Sequence, residues 1–217
     1  LFVRLAQGKK DRMLYEPGSK KFEIGKGITL RDGKDITIIA HGEMVGQAYD
    51  AAEIVKEEGI DVRVIDMYSI KPFDKELVKQ CIDETGHIIV LEDHLMEGGL
   101  ASSIADWMID EQITAKSFKR MGIPPVYAGF GSGEELHDKY GYGLNDTVEA
   151  IRAAEALTCG IWEDVRAWAH PGMTEKLIQR RVGEVCRGRY DRHDGAARPR
   201  LPRWRWSSAG SSRTRWP

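Results

Sequence analysis

Apolar residues along the chain follow two spacings, and each spacing predicts one kind of element. Unbroken or alternating runs of apolar and β-branched residues predict strands at residues 36–40, 62–66, 87–91 and 117–121. Apolar residues that recur every three or four positions predict helices at residues 45–58, 74–84, 100–110, 134–140 and 145–157, the last with Asn145 as its N-cap.

The order of these elements predicts the fold class. Strands that alternate with helices form right-handed βαβ units around a mainly parallel sheet. A weaker alternation at Phe22, Ile24, Ile28 and Leu30, followed by a turn at Asp32-Gly33, predicts a hairpin before residue 36. We therefore expect an α/β fold in three layers, with about five strands and one antiparallel edge strand.

Polar stretches divide the chain into four parts. Residues 1–5 are typical of a strand already under way without an initiator Met, which suggests a piece of a longer protein. Residues 6–27 are polar and contain a Pro17-Gly18 turn, as expected for an interdomain linker. Residues 28–157 form the predicted domain, and residues 158–217 form an atypical tail in which residues 174–185 predict one helix.

The tail differs from the rest of the chain in its charge. Residues 187–217 contain nine arginines, no lysine and two aspartates, with tryptophans interleaved. Arginine and tryptophan together suit single-stranded nucleic acid, but the abrupt loss of lysine favours an unselected or disordered extension. We therefore expect no nucleic-acid partner.

Composition and hydropathy exclude several classes of protein for this chain. A mean hydropathy of -0.43 and the lack of an apolar run near 18 residues exclude a membrane span. We also expect no membrane partner. The three cysteines are far apart and odd in number, which fits neither a zinc site nor a disulfide framework. They indicate a reducing compartment, and we expect a cytoplasmic protein.

Five sequence blocks, in this order and spacing, resemble the C-terminal domain of the transketolase family. They lie at residues 38–42, 65–74, 92–102, 119–124 and 134–141, and the resemblance covers roughly residues 1–157. The same blocks resemble deoxyxylulose-phosphate synthase and the beta subunits of 2-oxo acid dehydrogenases. Residues 122–124 and 127–133 favour transketolase, particularly its split form with a separate C-terminal section.

The resemblance implies an activity that this chain would share with other domains. The family uses thiamine diphosphate and Mg²⁺ to transfer a two-carbon ketol unit between sugar phosphates, as in the pentose phosphate pathway of carbohydrate metabolism. Two earlier domains hold the cofactor, and this sequence has no Gly-Asp-Gly metal motif. We expect no cofactor and no catalytic or metal residue on the chain itself, inactivity in isolation, and a dimer with N-terminal cofactor-binding domains or a separate subunit. The alternatives are a fragment of either related enzyme, or a non-catalytic assembly module.

One residue near the start of the chain is a candidate substrate ligand. Arg4 matches an arginine that contacts the sugar's phosphate in relatives, at the end of the pyrimidine-binding domain. A guanidinium group suits phosphate because its N–H donors form a planar fork. A surface arginine at a strand end remains the alternative.

Glu92, Asp93 and His94 form a second candidate group beyond the third strand of the main domain. Adjacent residues of an extended segment point in alternating directions, so the three side chains cannot all hold one ion. Acidic groups here also complement the start of the helix that follows Gly98-Gly99. The resemblance implies that this loop packs toward the other domains and the dimer partner.

Several other features receive structural interpretations. Gly98 and Gly99 are expected to permit close backbone approach, with an anion site as the alternative. His41 and His137 are expected to be polar packing residues. The glycine-rich segment at residues 129–133 lacks the Lys-Ser/Thr ending of a P-loop and precedes two glutamates, so we expect a plain loop.

Overall fold

The computed structural model describes residues 13–16 and 18–158. The strands are β1 (Ile28–Arg31), β2 (Ile36–Ala40), β3 (Val62–Asp66), β4 (His87–Leu95) and β5 (Ser117–Ile123). The helices are α1 (Met44–Lys56), α2 (Lys75–Glu84), α3 (Leu100–Asp110), α4 (Gly133–Tyr140) and α5 (Leu144–Thr158).

The five strands form one mixed sheet in the order β1-β3-β2-β4-β5. The pairs β2–β3, β2–β4 and β4–β5 are parallel, and β1 is antiparallel to β3. This confirms the predicted α/β class, the strand number and the antiparallel edge.

The hairpin prediction is wrong, because β1 pairs with β3 and not with β2. Both edges of β2 are already taken by β3 and β4, so the outer edge of β3 is the position left to β1. The chain between β1 and β2 passes close to the start of β3, where a Cβ on Gly33 would lie 2.4 Å from the carbonyl carbon of Val62. Only glycine fits this crossing.

Helices cover both faces of the sheet, which gives the three expected layers. One core joins α1 and α5 to one face, and a second core joins α2 and α3 to the other. The face of α1 predicted from Val45, Ala48, Ala52 and Val55 is fully buried. Strand β2 is buried along its whole length, as expected for a central parallel strand.

Two predicted boundaries are wrong in ways that bear on the site. Strand β4 continues to Leu95, so Glu92, Asp93 and His94 belong to the strand and not to a loop. Helix α5 begins at Leu144, one residue before the predicted cap, and the Thr147 N–H donates to the Gly143 carbonyl. Asn145 therefore lies within the first turn.

Some predictions lie outside the described residues. These are the strand at residues 1–5 with Arg4, the helix at residues 174–185 and all but the first residue of the predicted tail. No helix in the described part of the chain is both long enough and apolar enough to cross a bilayer.

Candidate functional site at the carboxyl edge of the sheet

The carboxyl ends of β2 and β4 meet at the topological switch point of the sheet. From β2 the chain runs through α1 on one face to β3, and from β4 it runs through α3 on the other face to β5. Open α/β sheets bind ligands in the crevice that such divergent connections leave. The side chains around this crevice are therefore the candidate functional residues.

Glu92 fills the part of the crevice that faces α3. Its side chain is 1% exposed, and its two carboxylate oxygens accept hydrogen bonds from the backbone N–H groups of Leu100 (2.9 Å) and Ala101 (3.0 Å). Burial raises the pKa of this carboxyl, but the contact with His41 and these two donors outweigh it, so the pKa lies below its usual range. An ionised Glu92 thus caps the start of α3 from a neighbouring strand.

Gly99 allows Glu92 to approach the helix this closely. A Cβ at position 99 would lie 2.1 Å from Glu92 Oε2, which is less than a nonbonded contact permits. Gly98 has a different role: its φ of 79° is left-handed, and nothing lies within 4 Å of its Cβ position. The helix N–H groups of Leu100 and Ala101, which an anion would use here, donate to Glu92 instead.

His41 interacts electrostatically with Glu92 and with a second buried carboxylate, Asp66. Its Nε2 atom lies 3.5 Å from Glu92 Oε2. Asp66, at the end of β3, is 7% exposed and accepts a 2.8 Å hydrogen bond from the Tyr15 hydroxyl. Burial raises the pKa of Asp66, and the Tyr15 bond and the charge interaction with His41 oppose this only in part.

Tyr15 belongs to a segment that precedes β1 and packs on the same edge. Its ring meets Phe22 edge-to-face at 5.7 Å, and Phe22 meets Tyr68 in the same way at 4.9 Å. The Gly25 N–H donates to Ser69 Oγ at 2.8 Å. The described part of residues 6–27 thus contacts the segment between β3 and α2 directly.

Asp93 lies on the opposite face of β4 from Glu92, as the alternation of an extended strand requires, and the pairing of β4 with β5 is irregular between Leu91 and Leu95. Asp93 Oδ1 accepts a 3.0 Å hydrogen bond from the Tyr142 hydroxyl. His94 Nδ1 donates to the carbonyl oxygen of Leu95 at 2.8 Å. The three adjacent residues therefore do not converge on one point.

The structure instead brings Asp93 together with two residues from other parts of the chain. His137 Nε2 in α4 lies 3.7 Å from Asp93 Oδ1. Glu43, just before α1, completes a group in which one possible ligand atom of each residue lies within 4.8 Å of the others. Sequence analysis assigned His137 to packing and did not consider Glu43 or Tyr142. The separations of 50 and 44 residues between the three groups leave no spacing motif that could have indicated them.

An aromatic loop lies next to these residues. Tyr127 and Phe130 follow the carboxyl end of β5 and are fully exposed, and Val126 and Leu95 nearby are about half exposed. Helix α4 begins directly after this loop with a capping box, in which Ser132 and Glu135 bond each other's backbone N–H groups. Residues 129–132 form no helix or strand, as predicted, whereas Gly133 is already the first residue of α4.

Comparisons with known proteins agree on one family. The family described as "Transketolase, C-terminal domain" matches residues 25–146. The chain is 39% identical over 128 residues to one of the subunits of the apulose-4-phosphate transketolase of Phocaeicola vulgatus, covering 59% of this chain and 40% of that protein. It is 37% identical over 157 residues to a protein of Methanocaldococcus jannaschii named as a transketolase C-terminal section, covering 72% and 48%.

A second enzyme and a solved structure extend the comparison. The chain is 38% identical over 129 residues to 1-deoxy-D-xylulose-5-phosphate synthase of Heliobacterium modesticaldum, covering 59% of this chain and 20% of the enzyme. A structure titled "Split gene transketolase, inactive beta4 tetramer" superposes with a TM-score of 0.59 at 36% identity, covering 67% of this chain and 46% of that one. The chain thus spans less than half the length of each of these relatives.

Proposed function

Because the chain belongs to the transketolase family by its match to that family's C-terminal domain, we propose that it is the C-terminal part of an enzyme that transfers a two-carbon ketol unit between sugar phosphates. The observation that carries the proposal is the match of residues 25–146, together with relatives named as a transketolase subunit and as a C-terminal section. The family's thiamine-diphosphate chemistry would then take place in the cytoplasm on an assembly that includes this chain.

The described residues do not fit thiamine diphosphate. The sequence has no Gly-Asp-Gly motif, and Glu92 occupies the N–H groups at the start of α3 that a diphosphate would need. Asp66 and Asp93 add further carboxylates at the same edge. We therefore route no catalytic step through this domain and assign the cofactor and its Mg²⁺ to N-terminal domains or to a separate subunit.

We assign the carboxyl edge to contact with those cofactor-binding parts and with a dimer partner. Glu92, Asp93, His94, Gly98 and Gly99 would lie in or near this interface. The exposed rings of Tyr127 and Phe130 support the assignment, because exposed aromatic groups beside a polar rim are typical of contact sites. Arg4 keeps its proposed role as a ligand for the substrate's phosphate.

A second candidate function is part of 1-deoxy-D-xylulose-5-phosphate synthase, and a specific observation favours it. Several relatives of 32–38% identity carry that name. The two enzymes are distinguished by the donor, since a 2-oxo acid releases CO₂ and a ketose phosphate does not. A beta subunit of a 2-oxo acid dehydrogenase would share the 2-oxo acid donor, whereas a non-catalytic assembly module would use neither.

The test is recovery of the natural assembly. The tagged chain is purified from its source cells, bound proteins are identified by intact mass, and thiamine diphosphate is measured. Ketol transfer from a sugar phosphate and CO₂ release from a 2-oxo acid are then assayed on the assembly and on the isolated chain. We expect ketol transfer by the assembly alone. Ketol transfer by the isolated chain, or a stable partner without thiamine diphosphate, would overturn the proposal, and CO₂ release would favour the second candidate.

A further inference from the structure

We propose that Glu43, Asp93 and His137 form a binding site for a divalent transition-metal ion at the carboxyl edge of the sheet. One ligand atom from each residue lies within 4.8 Å of the other two. The residues come from three elements: the turn between β2 and α1, strand β4, and helix α4. The site thus lies in the crevice between divergent βα connections, where open α/β sheets bind ligands.

The distance between Asp93 and His137 is the first argument for an ion. Their facing atoms, Oδ1 and Nε2, are 3.7 Å apart, which is too long for a hydrogen bond. Ligands bound at about 2.1 Å to one tetrahedral ion lie roughly 3.4 Å apart. A metal ion between the two atoms therefore requires a shift of only a few tenths of an ångström. Glu43 is exposed and can complete the triad by a change of rotamer.

A buried tyrosine that orients two of the ligands is the second, independent argument. Tyr142 is 1% exposed, and its hydroxyl donates to Asp93 Oδ1 at 3.0 Å. Its ring packs against the His137 ring at 4.7 Å between centroids, and its N–H donates to the His137 carbonyl at 3.0 Å. In protein metal sites, residues that do not bind the ion themselves commonly hydrogen-bond to the ligand side chains and fix their orientation.

The donor set identifies the class of ion. Two carboxylate oxygens and one imidazole nitrogen suit first-row ions from Mn²⁺ to Zn²⁺, whereas Ca²⁺ and Mg²⁺ favour oxygen ligands alone. The two carboxylates offset the charge of a divalent ion. Asp93 and His137 have side-chain exposures of 30% and 13%, so water can reach the remaining coordination positions. The proposal concerns these three residues and holds whether or not the proposed function is correct.

The test is titration of the full-length chain with Co²⁺, followed by the visible absorption of the bound ion. We expect saturation at one ion per chain. Glu43→Gln, Asp93→Asn and His137→Gln each alter a proposed ligand and should weaken binding by more than about tenfold, since loss of a group that only supports a ligand already costs about 10- to 100-fold. Circular dichroism verifies the fold of all three variants.

Two controls distinguish Co²⁺ binding at this site from nonspecific binding elsewhere on the chain. Glu97→Gln and His94→Gln change the same residue types nearby and should leave the affinity unchanged. A variant with His170→Gln, His193→Gln, Cys159→Ser and Cys186→Ser removes every histidine and cysteine beyond residue 158 and should also bind normally. The proposal is overturned if the wild-type chain binds no Co²⁺ at millimolar concentration, if the three site variants bind as tightly as wild type, or if the four-residue control abolishes binding.

Discussion

His41 Nε2 lies 3.5 Å from Glu92 Oε2, and the pair links β2 to β4 at the point where their following helices leave for opposite faces of the sheet. Glu92 in turn holds the first turn of α3 through the N–H groups of Leu100 and Ala101. One carboxylate on β4 therefore caps α3 and lies close to the residue that follows β2. The crevice that binds an anionic ligand in many α/β proteins is occupied here by the protein's own carboxylate.

Replacement of Glu92 tests how strongly this junction stabilises the fold. Glu92→Gln keeps the size of the side chain but leaves one oxygen to serve two N–H donors. Because the site is buried, we expect the free energy of unfolding to fall by about 1–3 kcal/mol, measured by urea denaturation. Glu97→Gln, in the exposed turn that follows β4, should change it by less than about 0.5 kcal/mol. Equal effects of the two substitutions would contradict the assigned role.

Two glycine-to-alanine substitutions are expected to have opposite signs. In Gly99→Ala the new Cβ meets the Glu92 carboxylate at 2.1 Å, and we expect a loss of about 1–3 kcal/mol of stability. In Gly46→Ala, inside α1, the Cβ meets nothing within 4 Å, so the higher helix propensity of alanine should add up to about 1 kcal/mol. Thermal denaturation measures the change in stability of both variants. A lower Tm for Gly46→Ala would contradict the open space at this position of α1.

His87 predicts a pH dependence of stability. It is buried at the start of β4, and burial, with the charge of Lys116, lowers its pKa. Since the unfolded chain then binds more protons, the contribution is fully present above the unfolded pKa of about 6.5 and is lost as the pH falls toward the folded pKa. We expect the fall in Tm between pH 7.5 and pH 5.5 to be smaller in His87→Gln than in the wild type.

The control for this effect keeps the titrating group. Ser117 Oγ lies 2.8 Å from His87 Nδ1. Ser117→Ala removes this contact but leaves the imidazole buried, so the variant should lose some stability and retain the pH dependence. A pH profile of His87→Gln that matches the wild type would show that other groups cause the dependence.

The proposed interface predicts that Tyr127 and Phe130 matter to assembly and not to the fold. Because both rings are fully exposed, Tyr127→Ser and Phe130→Ser should change stability by less than about 0.5 kcal/mol. If they are central contacts, each should weaken binding of the cofactor-binding partner by about tenfold or more, measured by calorimetry on the recovered assembly. Ile109→Ser, an exposed apolar change at the far end of α3, should affect neither quantity.

The sequence predicts most of this fold because its signals are local. The spacing of apolar residues predicts β2 to β5 and the five helices found among residues 18–158, and the alternation of side chains along a strand correctly separates Glu92 from Asp93. The pairing of β1 was missed because it depends on which edge of the sheet stays free, which is a property of the whole sheet. The extension of β4 was missed because polar residues at the crevice interrupt its apolar pattern.

The candidate site was harder to predict because most of its residues are distant from one another in the sequence. Glu92 was interpretable because a helix start lies only eight residues away along the chain. Glu43, His137 and Tyr142 come together only through the packing of α1, α4 and α5 on β4, so no local pattern marks them.

The position of β1 sets an order of events in folding. Residues 28–31 precede the other strands of the sheet in the sequence, yet β1 pairs with β3, on the edge of β3 that faces away from β2. The residues of β1 therefore wait for more than thirty further residues to be added before their partner strand exists. The Tyr15 contact to Asp66 likewise forms only once the end of β3 is in place.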